Sequence, residues 1–315
     1  MSFASRIVRS MLFVFVALLA GQTSADEAIR WKLAVGDAFD YQTRQEMNMN
    51  VDAGAGVQMA MTAGQTMNAT WSVKSVEANG DAVIEQKIER IQSKMTAPDG
   101  QGFDYDTDSE EPAAGVAAMV APALEAKTSG PLTFTMSPRG EVRDVQLSEE
   151  LAGAIKSSPG GDASSVEDFK SQVSQVALQL PENPLKTGET WTTKIVVSSP
   201  GGGAETVETT YTYDGTREAD GTTYAVIKPN LNVDMAKSPN VEMKVKDQKT
   251  DGEVLFDLKA GELHSLSINR NLTLDVVAMG QTMPGTMDQN IEITVTPAKP
   301  KTEPAKSAIG SEAKN

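Results

Sequence analysis

The sequence predicts a mainly β fold of α+β type: two related, curved antiparallel β-sheet halves with a few packed helices. Three observations carry that expectation. The stretch TGETWTTKIVV (Thr187 to Val197) repeats the order of VGDAFDYQTRQ (Val35 to Gln45), each with a Gly and an acidic residue leading to an aromatic and a β-prone run. Two further blocks stay in step. ATWSVKSVEANGDAVIE, from Ala69, answers TTYTYDGTREADGTTYAVIK, from Thr209, with turns at Asn79-Gly80 and Asp220-Gly221. PLTFTMSPRGEV, from Pro131, answers GEVLFDLKAGEL, from Gly252, each with two apolar runs meeting at a Gly (Gly140, Gly261). Finally, long stretches alternate apolar and polar residues with period two, the mark of a strand with one wet face.

Taken in order, residues 1–25 read as a secretory signal. Arg6 and Arg9 precede the apolar run Met11 to Ala20, and small residues lead to cleavage between Ala25 and Asp26. That run is about half the ~20 residues a membrane-spanning helix needs, so the mature form is expected to carry no transmembrane anchor. Residues 26–147 form the first β-rich half. Tyr41, Thr43, Gln45, Met47, Met49 and Val51 share one parity, and Val57, Met59 and Met61 continue it after a Gly-rich break. Between Ala82 and Met95, Ile84, Ile88, Ile91 and Met95 are spaced as on a helix face. The counterpart in the second half carries Pro229 and the alternation Leu231, Val233, Met235, and on that ground the segment is read as strand.

Glu111 to Lys127 predicts a helix with Val116, Met119, Val120 and Leu124 on one face, kinked or broken near Pro122. Residues 148–186 form a helical connector. Ser148 caps a short helix carrying Leu151 and Ile155, stopped by Pro159-Gly160-Gly161. A second helix, Ser165 to Leu180, has a partial capping box between Ser165 and Asp168. Its stripe of Val166, Phe169, Val173, Val176 and Leu180 must be buried on a sheet. Residues 187–296 form the second β-rich half, and 297–315 a tail too poor in apolar residues to order itself.

Charge and composition exclude several functions. The net charge of −15 falls to −17 once Arg6 and Arg9 are removed, which argues against nucleic acid and anionic surfaces as partners. There is no Cys, and a chain of 315 residues less a 25-residue leader buries enough surface to do without disulfides. His264 is the single histidine, so a His-rich zinc site cannot be built and a structural role is the expectation for it.

The candidate metal cluster is Asp104, Asp106 and Asp108, at the alternate spacing of a calcium loop. Ser109 and Gly115 stand where such a loop requires Gly and Glu, so a solvated acidic turn is the better reading. Met47, Met49, Met59 and Met61 are the candidate residues lining an apolar ligand. Thioethers also fill irregular cores, and Cu(I) is the third use of such a set. No catalytic set or cofactor signature is present in the sequence.

The exported N-terminus, GDAF, the Asn-Gly turn, FDYDTD, PLTFTMSPRGEV, PENPLKTGETW and FDLKAGEL resemble, in that order, a family of exported bacterial proteins of unknown function. The resemblance implies a fold and no activity. In outline the architecture is also similar to the half-barrel of bacterial lipoprotein carriers. The expectation is a periplasmic or extracellular binding or scaffold protein of the cell envelope, holding an apolar or lipid-like ligand. A purely structural component that contacts other envelope proteins is the alternative, and a carboxylate-based enzyme comes third.

Overall fold

The computed structural model describes residues 28–174, 176–199, 203–235, 241–278 and 280–298. The signal segment with Ala25 and Asp26, and nearly all of the tail, lie outside the described residues. In chain order the elements are β1 (Ala38–Asp52), β2 (Gln58–Val76), β3 (Ala82–Thr96), β4 (Gly102–Asp106), α1 (Ala117–Thr128), β5 (Leu132–Met136) and β6 (Val142–Leu147). They continue with α2 (Glu149–Ser157), α3 (Ala163–Val173), β7 (Thr190–Ser199), β8 (Gly203–Ala219), β9 (Thr222–Met235), β10 (Val241–Asp257), β11 (Glu262–Ala278) and β12 (Gln281–Pro297).

All the strands belong to one antiparallel sheet in the order β6-β5-β3-β2-β1-β12-β11-β10-β9-β8-β7, with β4 paired to β3 off this path. Each half is a meander, and the matched turns fall at matching steps. Gly80 and Gly221 turn β2 into β3 and β8 into β9, while Gly140 and Gly261 turn β5 into β6 and β10 into β11. The halves are not separate sheets, because β12 closes the second meander onto β1 through a continuous register from Phe39↔Pro297 to Val51↔Gly285. The two leading strands therefore differ in setting: β1 is central, and among the described residues β7 is an edge paired with β8. Pro297, expected to begin the tail, is the last residue of β12.

The strand reading of β3 holds, and a bulge explains its helix-like spacing. Asn68 pairs Arg90 while Ala69 pairs Ile88, so Glu89 is an extra residue on β3. Burial accordingly passes from Ile84 and Ile88 to Ile91, all on one face.

The helices depart from expectation in detail. α1 runs through Pro122 without a break, and its buried residues are Ala117, Ala121, Leu124 and Ala126, whereas Met119 is 74% exposed. Three alanines thus supply most of the buried face; of the expected stripe Leu124 is buried and Val120 packs half-buried against the core. α2 starts as expected, with Ser148 Oγ accepting from Leu151 N–H at 3.2 Å. α3 is capped by Asp162, whose carboxylate accepts from Ser165 N–H while Ser165 Oγ accepts from Asp162 N–H. It ends at Val173, short of the expected Leu180.

The helix stops because the next backbone groups are taken by tertiary partners. Leu178 O accepts from Trp31 Nε1 at 3.0 Å, Gln179 O accepts from Trp191 Nε1 at 2.9 Å, and Leu180 N–H donates to Arg139 O at 2.8 Å. Pro181 also disfavours a helical Leu180.

α3 lies against both edge strands, β6 and β7, so the sheet curls far enough to bring its two edges to one helix. α1 covers β3 and β4, and α2 covers β6. The main core joins Leu124, Leu151 and Phe169 of these helices to Tyr41, Trp71, Ile84, Phe134, Tyr213, Ile227 and Phe256 of the sheet in one cluster. An N-terminal segment ties its ends together: Trp31 N–H donates to Pro138 O and Lys32 N–H to Gly261 O, both at 2.9 Å. Those acceptors lie in the two hairpins that the sequence repeat matches.

Candidate ligand-binding face

Registered partners in a sheet share a face. Met61, Met49, Met287 and Leu272 form one row across β2, β1, β12 and β11, and Met59, Val51, Gly285, Leu274 and Val245 form the next, reaching β10. The four methionines singled out by alternation therefore come together on one face, the same face on which Tyr41 and Val295 enter the main core. Gly285 lets the rows close, since a Cβ there would stand 3.2 Å from Val51 Cγ2 and 3.4 Å from Leu274 Cδ1.

This is a second apolar cluster, separate from the main core. Val51, Leu272, Leu274, Val276 and Met287 are buried, and half-buried Met47, Met49, Met59, Met235, Val245 and Met283 pack around them. All of these residues are on strands, and among the described residues no helix contributes to the cluster. Beside it, Met47, Ala63, Met95, Phe103 and Gln289 line a depression of about 290 Å³.

Sequence reasoning missed the buried cation of this face. Arg270 is 6% exposed and stands between Ile268 and Leu272 in the apolar parity of β11, and its Nη2 donates to Gln289 Oε1 at 2.6 Å. A lone charge inside an apolar alternation was the available signal. Buried charges are retained only with polar partners, so Arg270 marks a polar seam between the two clusters.

The candidate metal residues are dispersed in role. Asp106 is held bidentately by Arg90, with Nε to Oδ1 at 2.9 Å, and also accepts from Gln92 Nε2 at 3.1 Å and Asp108 N–H at 3.0 Å. The Arg90 guanidinium keeps this carboxyl well below the usual range. Its contribution to stability is therefore present above about pH 3.9 and is lost as pH falls through the depressed value. Asp104 lies opposite Lys94. Among the described residues no group of His, Asp and Glu is arranged to hold a metal. His264 is exposed on β11, its ring 4.9 Å from that of Tyr224.

A family model of unknown function, DUF6263, matches residues 79–262, from the β2–β3 turn to the start of β11. The chain belongs to this family. The DUF6263 match contains α1, α2 and α3 but neither Met47, Met49, Met59 and Met61 nor Leu272, Leu274 and Met287. No curated protein matches the chain. Among solved structures, a lipovitellin described for its lipid–protein interactions is similar at 12% identity and TM-score 0.44, covering 86% of this chain and 26% of that one. The translocator domain of the autotransporter NalP from Neisseria meningitidis is similar at 8% identity and TM-score 0.21, covering 83% and 89%. DynF from Micromonospora chersina is similar at 8% identity and TM-score 0.23, covering 95% and 96%. The DUF6263 chain thus spans about a quarter of the lipovitellin chain, and likenesses this distant carry no functional argument. No helix among the described residues is long and apolar enough to cross a membrane.

Proposed function

We propose that this protein is an exported binding protein of the cell envelope that holds an apolar, lipid-like ligand on the methionine-bearing end of its sheet. One observation carries the reading: an apolar cluster centred on Leu272 and Leu274 continues the inner face where no helix among the described residues contributes, rimmed by half-buried methionines. Thioether side chains are flexible and polarizable, so a surface of this kind adapts to an acyl chain. The N-terminal leader pattern ending at Ala25 supports export. Native mass spectrometry of protein recovered from its own host is expected to show a chain starting at Asp26 with lipid bound. A lipid-free chain that keeps Met11 to Ala20 would overturn both parts.

The filled centre favours a second reading, an envelope component that uses the methionine rim to contact another protein. Leu274 is 0% exposed, so the middle of the cluster is already occupied by its own side chains. Melting curves separate the two. Leu274→Ala is expected to cost about 2 to 5 kcal/mol as a cavity in a packed site. The Met47→Ala/Met49→Ala variant should lose only about 1 kcal/mol per residue, because both side chains are half-buried. Under the lipid reading, added lipid raises the melting temperature of delipidated wild type and fails to raise that of the double variant. No lipid-induced shift in wild type would leave the protein-contacting role.

A further inference from the structure

The helices border a separate open depression of about 260 Å³ between α1 and the α2–α3 turn. Its apolar floor is Ile155 and Phe169, each 7% exposed, and Lys127 and Gln172 stand among its lining residues. Lys127 lies in the last turn of α1, where a cation is favoured by the helix dipole. That accounts for its charge, but it does not account for its position. A lysine at a helix end ordinarily carries its amine out to water. Here the side chain is half-buried, and among the described residues the amine has neither a hydrogen-bond partner nor an ion pair. Asp168 lines the same depression without pairing with it. Burial pushes the amine's pKa down, the direction expected when no counter-charge compensates for lost water.

A desolvated cation over an apolar floor lacks the group that would stabilise it. We propose that this pocket binds a small monocarboxylate with an apolar body, its carboxylate on the Lys127 amine and the Gln172 amide and its chain against Ile155 and Phe169. A charge-assisted contact to the amine stabilises the protonated form, and Gln172 supplies a neutral donor beside it. The volume is below the usual 300–1,000 Å³ of ligand pockets, which restricts the body to a short chain or a single ring. The site is independent of the methionine face, and unlike that face it lies wholly inside the DUF6263 match.

The probe is octanoate, with octanol as its uncharged counterpart. In wild type, octanoate should slow acylation of Lys127 by an amine-reactive ester, mapped by peptide mass, and leave the other lysines unchanged, while octanol protects far less. Calorimetric affinity for octanoate should fall at least tenfold in Lys127→Met, persist in Lys127→Arg and be unchanged in Lys156→Met. Equal affinity in Lys127→Met, or acylation of Lys127 unaffected by octanoate, would overturn the proposal. The protection assay uses wild type alone, so it decides the matter even if a variant folds poorly. The Met47→Ala/Met49→Ala variant should protect Lys127 as wild type does. Loss of protection there would move the probe to the sheet face and overturn this site while leaving the lipid reading standing.

Discussion

Gly140→Ala is expected to destabilise the protein by about 3 kcal/mol or more, enough to take a large share of the stability of an ordinary domain. Two effects combine. The residue has φ +80°, a conformation that costs a side chain about 1–2 kcal/mol by itself. A Cβ there would also stand 2.1 Å from Leu178 O and 2.8 Å from Trp31 Nε1, so it would drive apart the donor and acceptor that fasten the connector to the N-terminal segment. Gly188→Ala separates the effects, since Gly188 has φ +89° and open space around it. Urea denaturation should show a loss for Gly188→Ala near the conformational cost alone and a clearly larger one for Gly140→Ala. Equal losses would mean that the close approach at Gly140 carries no energy and that the hairpin does not need its seam with Leu178.

What the sequence made legible follows from what is local. Alternation placed Met47, Met49, Met59 and Met61 on one face, and the Gly-containing turns placed the matched hairpins, because strand parity and turn sterics are decided within a few residues. The partners of those methionines were not legible. Leu272, Leu274 and Met287 join them only through the β1–β12 register, which pairs residues more than two hundred positions apart. The helical spacing on β3 misleads for a related reason: a bulge at Glu89 inserts one residue and converts a period of two into an apparent four-three-four. The overlong α3 has the opposite cause. Val176, half-buried, and Leu180, buried, continue its stripe in sequence, but the chain from Leu178 to Leu180 is held by indoles and a hairpin carbonyl in place of helical hydrogen bonds. Lys127 carried no local signal at all, since a lysine in the last turn of a helix is ordinary until the turn after α2 is folded against it.

Trp31→Ala is expected to cost about 3 to 5 kcal/mol, the range for truncating a buried Trp, and to loosen the connector as well as the core. The indole is 4% exposed and meets Phe256 edge-to-face at 5.3 Å, and its Nε1–H satisfies Leu178 O. Truncation removes the packing and strands that carbonyl in one step. Trp191 makes the neighbouring bond, to Gln179 O, but it is half-buried on the edge strand β7 and stacked on Tyr211 at 5.1 Å, so Trp191→Ala should cost less. Trp31→Phe refines the comparison by retaining most of the ring contact and losing only the donor, for an expected loss of about 1 to 3 kcal/mol from the unsatisfied carbonyl. Hydrogen exchange gives the independent reading, because Leu180 N–H is bonded to Arg139 O in the hairpin that Trp31 anchors. Protection of that amide should drop in Trp31→Ala more than in Trp191→Ala. If Leu180 stays protected in Trp31→Ala, the connector is held by Pro181 and its own apolar contacts, and the indole is only core filling.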